Sequence, residues 1–264
     1  MEKIFERLQK VKSIAPLIHH ITNYVTVRDC ADITKCFGAS PVMADAIEEV
    51  QEMANIANAL VLNIGTLNSN IIESMKVAGK QANKKQIPIV LDICGVGATS
   101  FRNNKAKELL SSIKITVLKG NVSEIAAIAG FETCTKGVDA GAVETNIIEL
   151  AKGLATKLNV VVVITGAEDI VSNGKDAYIV KNGCAKMGNI VGTGCMSSSI
   201  VGTFCAIEKN YALACVSALV CFEIVAELAQ KEAIGLGTFK LKLFDKVSSL
   251  NETVINEMKN FTLI

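Results

Sequence analysis

Gly192, Thr193, Gly194 and Cys195 stand where a polar loop becomes a long apolar segment, so two glycines and a thiol meet at a helix start. The first N–H groups of a helix have no partner within it, and its dipole puts partial positive charge there; such a turn binds anions. Glycine lets a phosphate approach that backbone without a Cβ in the way. Residues 196–207 carry no charge, as expected of a helix buried in a core with only its N-terminus open to a ligand. Cys195 is then the reactive side chain at the mouth. A free thiol of pKa ~8.5 is only a few per cent thiolate at neutral pH, and a helix N-terminus lowers that pKa. The same residues also fit a glycine-kinked buried helix with an inert core cysteine.

The elements that must position this turn follow from the alternation of short β-branched runs with amphipathic stretches. That pattern predicts an α/β fold, a mostly parallel sheet with helices on both faces. Strands are expected at 40–43, 59–63, 87–93, 113–118, 160–165 and 177–181. Helices are expected at 27–37, 47–57, 70–83, 105–112, 122–129 and 142–157, and most of the chain from Met196 onward reads as helical. Asp169 to Lys181, with Ser172, Asn173 and Gly174 at its turn, reads as an edge β-hairpin. No linker or repeat is visible, and residues 1–264 are expected to form one domain.

In an open parallel sheet the ligand lies at the carboxyl ends of the strands. Asp92 ends one run and opens Cys94-Gly95-Val96-Gly97-Ala98-Thr99; Lys119, Gly120 and Asn121 end another, and Thr165 and Gly166 a third. Several strand ends agreeing on polar, glycine-rich chemistry point to an anion-handling site. The Gly95–Thr99 loop lacks the third glycine of a dinucleotide fingerprint and runs into Phe101 and Arg102 rather than a clean helix, and no GxxxxGK[ST] loop occurs. Asn121 and Glu124 have the spacing of a helix cap. Glu124 is therefore either a capping residue or, beside Asp92, a carboxylate holding Mg²⁺ through water, since magnesium commonly uses one or two carboxylates plus substrate phosphates. His19 and His20, the only histidines, exclude a multi-histidine metal site and suit either a general base or a core role.

Composition narrows the partners. With 27 Lys plus Arg against 26 Asp plus Glu there is no basic surplus for nucleic acid, and a small-molecule ligand fits better. Nine cysteines without a CxxC pair, several in apolar stretches (Cys205, Cys215, Cys221), read as reduced core thiols of a cytoplasmic protein. The segment 1–12 is charged and lacks the apolar core of a signal peptide. The apolar run 211–226, interrupted by Glu223, falls short of the ~20 residues that span a bilayer, so a buried helix and no membrane association are expected. The apolar composition also hints at an oligomer.

These motifs together resemble the hydroxyethylthiazole kinase family of the ribokinase-like fold, over nearly the whole chain. The resemblance rests on Ile21-Thr22-Asn23-Tyr24-Val25, on Pro41-Val42-Met43-Ala44 with Glu48-Glu49-Val50, and on Leu91-Asp92 running into Gly95–Thr99. It continues through Lys119-Gly120-Asn121 with Glu124 and Thr165-Gly166 with Asp169, and ends at Gly192–Cys195, where ribokinase-like relatives usually carry Asp as general base. It implies a three-layer α/β/α fold and ATP-dependent phosphorylation of the primary alcohol of 4-methyl-5-(2-hydroxyethyl)thiazole in thiamine biosynthesis or salvage. By the same resemblance Met43 and Gly192 contact the alcohol with Asn23 nearby, Lys119 and Thr165 contact ATP, Gly192, Thr193, Gly194 and Cys195 form the anion hole, and Cys195 acts on the alcohol proton. It further implies Mg²⁺ near Asp92 and Glu124, and a homotrimer with sites at subunit interfaces. Lys119 stands where many relatives carry Arg, His20 where Asn is frequent, and Ile93-Cys94 where Pro-Val is usual. Other readings are a ribokinase-like kinase for another vitamin precursor such as a hydroxymethylpyrimidine, an ATP-using repair lyase, or a non-catalytic nucleotide-binding protein.

Overall fold

The central strands carry apolar side chains on both faces, and that decides the layering. The computed structural model describes residues 3–131 and 147–264. Its elements in chain order are α1 (Ile4–Ile14), β1 (Leu17–Ile21), α2 (Val27–Cys36), β2 (Ser40–Met43), α3 (Val50–Ile56), β3 (Ala59–Asn63), α4 (Ser69–Lys85) and β4 (Ile89–Asp92). There follow α5 (Ser100–Ser112), β5 (Val117–Asn121), α6 (Val122–Ala129), α7 (Ile147–Leu158), β6 (Val161–Thr165), β7 (Asp169–Ser172) and β8 (Ala177–Val180). The chain closes with α8 (Thr193–Cys205), α9 (Tyr211–Glu232), α10 (Leu236–Lys246), α11 (Glu252–Met258) and β9 (Phe261–Leu263). The sheet runs in the order β2-β1-β3-β4-β5-β6-β7-β8-β9, parallel from β2 to β6 and antiparallel from β6 to β9.

Because side chains alternate along a strand, Ile18, Ala59, Val61, Val90, Val117 and Val163 point to one face and pack with α1, α2, α8, α9 and α10. Leu60, Leu62, Leu91, Leu118, Val162 and Ile164 point to the other, against α3 to α7. A sheet buried on both sides between two helical layers is the expected α/β arrangement.

Strands β2 and β3 and helix α6 lie at the expected residues, and the hairpin is β7–β8. The differences have local causes. Strand β1 was not anticipated, because His19 and His20 interrupt its apolar pattern; both imidazoles are nevertheless buried. The strand expected at 113–118 is β5, which begins four residues later and takes in Lys119, Gly120 and Asn121; Ile113 instead ends α5, its side chain filling the space left by Gly79. Helix α5 begins at Ser100 rather than 105, since Thr99 Oγ1 caps it by accepting from the Arg102 amide. Phe101 and Arg102 therefore do continue a helix. Residues 142–146 of the helix expected at 142–157 lie outside the described residues. Strand β9 adds an unexpected edge beside β8.

Helix α9 spans 22 residues and is long and apolar enough to cross a membrane, so the expectation that this run is too short is corrected. It nevertheless packs inside the protein, against α8, α10, α1 and the β7–β8 hairpin. Cys205, Cys215 and Cys221 are buried free thiols, as expected.

Helix α8 lies close to the strands because Gly202 faces β3: an added Cβ would come within 2.4 Å of Val61 Cγ2. Alanine is worth ~1 kcal/mol more than glycine in a helix, whereas overpacking costs about 1–3 kcal/mol. Val61 is a short, stiff side chain in a central strand, so overpacking wins. Gly202→Ala is expected to lower stability by about 1 kcal/mol or more in urea unfolding, and Gly202→Ala with Val61→Ala to be less destabilised than the sum of the two single changes.

Candidate active site at the carboxyl edge of the sheet

Strand register sets the site. Asn63 pairs with Asp92, and Asp92 with Lys119, in parallel strands, so the three side chains lie side by side on the face covered by α8. Two residues earlier the same face carries Val61, Val90 and Val117. The apolar floor under α8 thus turns polar at the last residue of each strand, beneath the N-terminus of the helix. Met43 and the turn after β1 that carries Asn23 extend the row on one side. Thr165, paired with Asn121, extends it on the other.

Helix α8 is joined to this row by polar contacts from its first two turns. The Lys119 ammonium donates to the Gly194 carbonyl (2.9 Å) and lies 3.7 Å from Asp92 Oδ2. Ser198 Oγ donates to the same carboxylate oxygen at 2.5 Å. Lys119 and Asp92 are both almost fully buried. Burial opposes the ammonium charge, but Asp92 first, then Cys195, Asp169 and Glu124, outweigh it and leave the Lys119 pKa above its ordinary value. Lys119 therefore stays a cation.

Gly192 caps α8 at φ +102°, a left-handed conformation in which a Cβ would sit 2.7 Å from the Thr26 methyl, so only glycine fits. The first intrahelical bond runs from the Met196 amide to the Gly192 carbonyl (2.8 Å), which leaves the amides of Thr193, Gly194 and Cys195 as the leading donors of the helix. No side chain caps them.

The Cys195 sulfur is half-buried and accepts from Asn23 Nδ2 (3.3 Å) and Asn63 Nδ2 (3.4 Å). A hydrogen bond from Cys94, with help from Thr26 and Lys119, brings its pKa down to about 6 against the opposing effects of burial and Asp92. Cys94, as the donor, is pushed well up. The lowering runs in the direction expected of a thiol at a helix start.

Glu124 forms the capping box read as its first possibility: Asn121 Oδ1 accepts from the Glu124 amide and Glu124 Oε2 accepts from the Asn121 amide. Its other oxygen accepts from Gly95 (2.8 Å), tying the glycine loop to α6. Burial and the negative charge of Asp92 raise its pKa, against the lowering effect of the two amide bonds and of Lys119. Among the described residues no group of three or more His, Cys, Asp or Glu could hold a metal ion. His19 and His20 are bonded to the carbonyls of Ala44 and Ile18, and burial lowers both pKa values, His20 to about 4.

Asn63, Cys94, Ser198 and Arg102 also belong to the site, although none of them stands out as a functional residue in the sequence. The Arg102 guanidinium donates to the carbonyls of Ile64, Gly65 and Cys94 at 2.7–3.0 Å, joining the loops after β3 and β4. A signal was present for Asn63, a lone amide closing the apolar run Ala59–Asn63, and for Ser197-Ser198-Ser199 inside an uncharged helix.

The model of the Hydroxyethylthiazole kinase family matches residues 8–253. The chain belongs to that family. It is 49% identical over 256 residues to the hydroxyethylthiazole kinase of Methanosarcina acetivorans, covering 97% of this chain and 98% of the relative. The structure of hydroxyethylthiazole kinase protein from Pyrococcus horikoshii OT3 superposes over the whole of both chains with a TM-score of 0.92 at 40% identity. A ribokinase-like superfamily protein from Enterococcus faecalis V583, 14% identical with a TM-score of 0.63 over 90% of this chain and 88% of its own, shares the fold. The mostly parallel ribokinase-like sheet and the family expected from the motifs are both borne out, and the chain is a kinase of the thiamine-biosynthetic class.

Within the hydroxyethylthiazole kinase family frame, the buried Lys119–Asp92 pair makes a clear prediction. Lys119→Met leaves Asp92 buried beside Ser198 alone and should lower unfolding free energy by about 3–5 kcal/mol. Adding Asp92→Asn should restore part of the loss, as read from denaturant midpoints.

Proposed function

We propose that the chain, as one ribokinase-like domain, transfers the γ-phosphoryl group of ATP to the primary alcohol of hydroxyethylthiazole at the N-terminus of α8, with Cys195 accepting the alcohol proton. The observation that carries this assignment is the position of the Cys195 sulfur among the Asn23 and Asn63 amides, on the turn that also bears the leading helix amides. Phosphoryl transfer depends mainly on positioning and on stabilising negative charge. The amides of Thr193, Gly194 and Cys195, with the Gly192 turn, cradle the migrating group. Met43, Asn23 and Gly192 line the alcohol end of the row; Lys119 and Thr165 serve the nucleotide end. Because Lys119 spends a donor on Gly194, it reaches the phosphates as a point charge coupled to the helix turn rather than as a free arm.

The donor set fits a magnesium ion. Asp92 and Glu124 are neighbouring carboxylates, Glu124 raised by burial and then by the charge of Asp92, and two carboxylates with substrate phosphates are an ordinary Mg²⁺ environment. Bound there, the ion would neutralise charge on the triphosphate. Because Glu124 already accepts two backbone amides and Asp92 accepts from Ser198, contact through water suits them.

An apolar surface beside the site supports assembly as a homotrimer with interfacial sites. Tyr24 (78% exposed), Val25 (59%) and Val191 (71%) flank Asn23 and Gly192, and the turns that carry them meet where Thr26 touches Gly192. The free, reduced thiols support a cytoplasmic location.

ADP release measured with and without the thiazole alcohol tests the activity: turnover should require the alcohol and Mg²⁺, stop with EDTA, and fall for a hydroxymethylpyrimidine. Turnover independent of the alcohol would sink the reading. Cys195→Ala should lower kcat by about 10²-fold, the lower range for a general base, and Cys195→Asp should retain activity. Because the Cys195 pKa is lowered, its basic form persists at neutral pH and is lost on acidification. kcat/KM should therefore fall about tenfold per pH unit below about 6.

A further inference from the structure

Primary amides can face either way, and here two backbone N–H groups decide. A backbone N–H can only donate, so the oxygen of a side-chain amide must face it. Asn63 Oδ1 accepts from the Gly65 amide (2.9 Å) and from Asn23 Nδ2 (3.0 Å), which leaves Asn63 Nδ2 turned to the Cys195 sulfur. Asn23 Oδ1 accepts from the amide and hydroxyl of Thr26 (3.1 Å each), which leaves Asn23 Nδ2 to donate to Asn63 Oδ1 and to the same sulfur. Gly65 lets the loop close on the pair, since a Cβ there would lie 3.0 Å from Asn63 Oδ1.

The sulfur is thus met by two N–H donors with their oxygens committed elsewhere. A thiolate accepts both as charge-assisted hydrogen bonds, whereas a neutral thiol is only a weak acceptor. We infer that Asn63 is a positioning residue which, together with Asn23, holds Cys195 as an oriented thiolate for reaction with the alcohol. The part concerning reaction rests on the proposed role of Cys195; the part concerning the thiolate does not. The other ionisable groups facing the sulfur are Cys94 and Asp92 at the end of β4, Lys119 on β5 and Cys30 on α2.

Alkylation separates the two parts. Iodoacetamide labelling of Cys195, followed across pH by mass spectrometry of its peptide, should be half-maximal near pH 6 in the unaltered protein. Asn63→Asp keeps both accepted bonds but turns an oxygen to the sulfur, and should move that midpoint and the acid limb of kcat/KM up together by about one pH unit or more. Asn63→Ala should move both less, and serves if the acidic variant does not fold, with melting temperature as the folding check. An ordinary thiol midpoint of ~8.5 in the unaltered protein overturns the inference. So does a variant that loses thermal stability while its alkylation midpoint stays put. If instead the midpoint moves but Cys195→Ala keeps full turnover, the base assignment fails and the thiolate-holding role of Asn63 stands.

Discussion

The Lys119–Asp92 pair under the first turns of α8 is the constraint around which the rest of the site is arranged. Two opposite charges are out of water there, tolerable only because each has further polar partners: the Gly194 carbonyl for the ammonium, the Ser198 hydroxyl for the carboxylate. These bonds tether the N-terminus of α8 to the ends of β4 and β5. Gly202, two turns further along, lets the helix lie against β3. The amide cradle and the thiol of Cys195 are therefore held over the polar row by both ends of the same helix.

That arrangement divides the labour along the sheet edge. On the β1 and β3 side, donors converge on a sulfur and favour its negative form. On the β4 and β5 side, Asp92 and Glu124 crowd one another, and burial with the charge of Asp92 raises the pKa of Glu124. A site in which one half favours an anion and the other invites a cation suits the movement of a phosphoryl group between two oxygens. Lys119 touches both halves, through Asp92 and through Gly194.

The layered fold was legible because hydrophobic pattern and helix caps are local signals: β2, β3 and α6 lie at the residues expected of them. Strand β1 was hidden because two buried histidines look polar in sequence, although a neutral imidazole bonded to a carbonyl is a sound core residue. Much of the site was legible from the strand ends and the GTGC turn. Asn63 and Ser198 were not, because their importance comes from register and helix rotation, which place them beside Cys195 and Asp92 across 132 and 106 residues of chain. The partners of Cys195 were hidden for the same reason: its amide donors come from distant segments, and only folding assembles them.

The Arg102 clamp carries a consequence for binding. One guanidinium fastens three carbonyls from two loops that flank the row, a planar cation serving as a rivet between segments that would otherwise each have their own conformational freedom. The entropy of ordering those loops is therefore lost once, when the chain folds, and is not levied again on every substrate that arrives. Apparent affinity for the alcohol is then undiminished by a pre-equilibrium between open and closed loops at this edge.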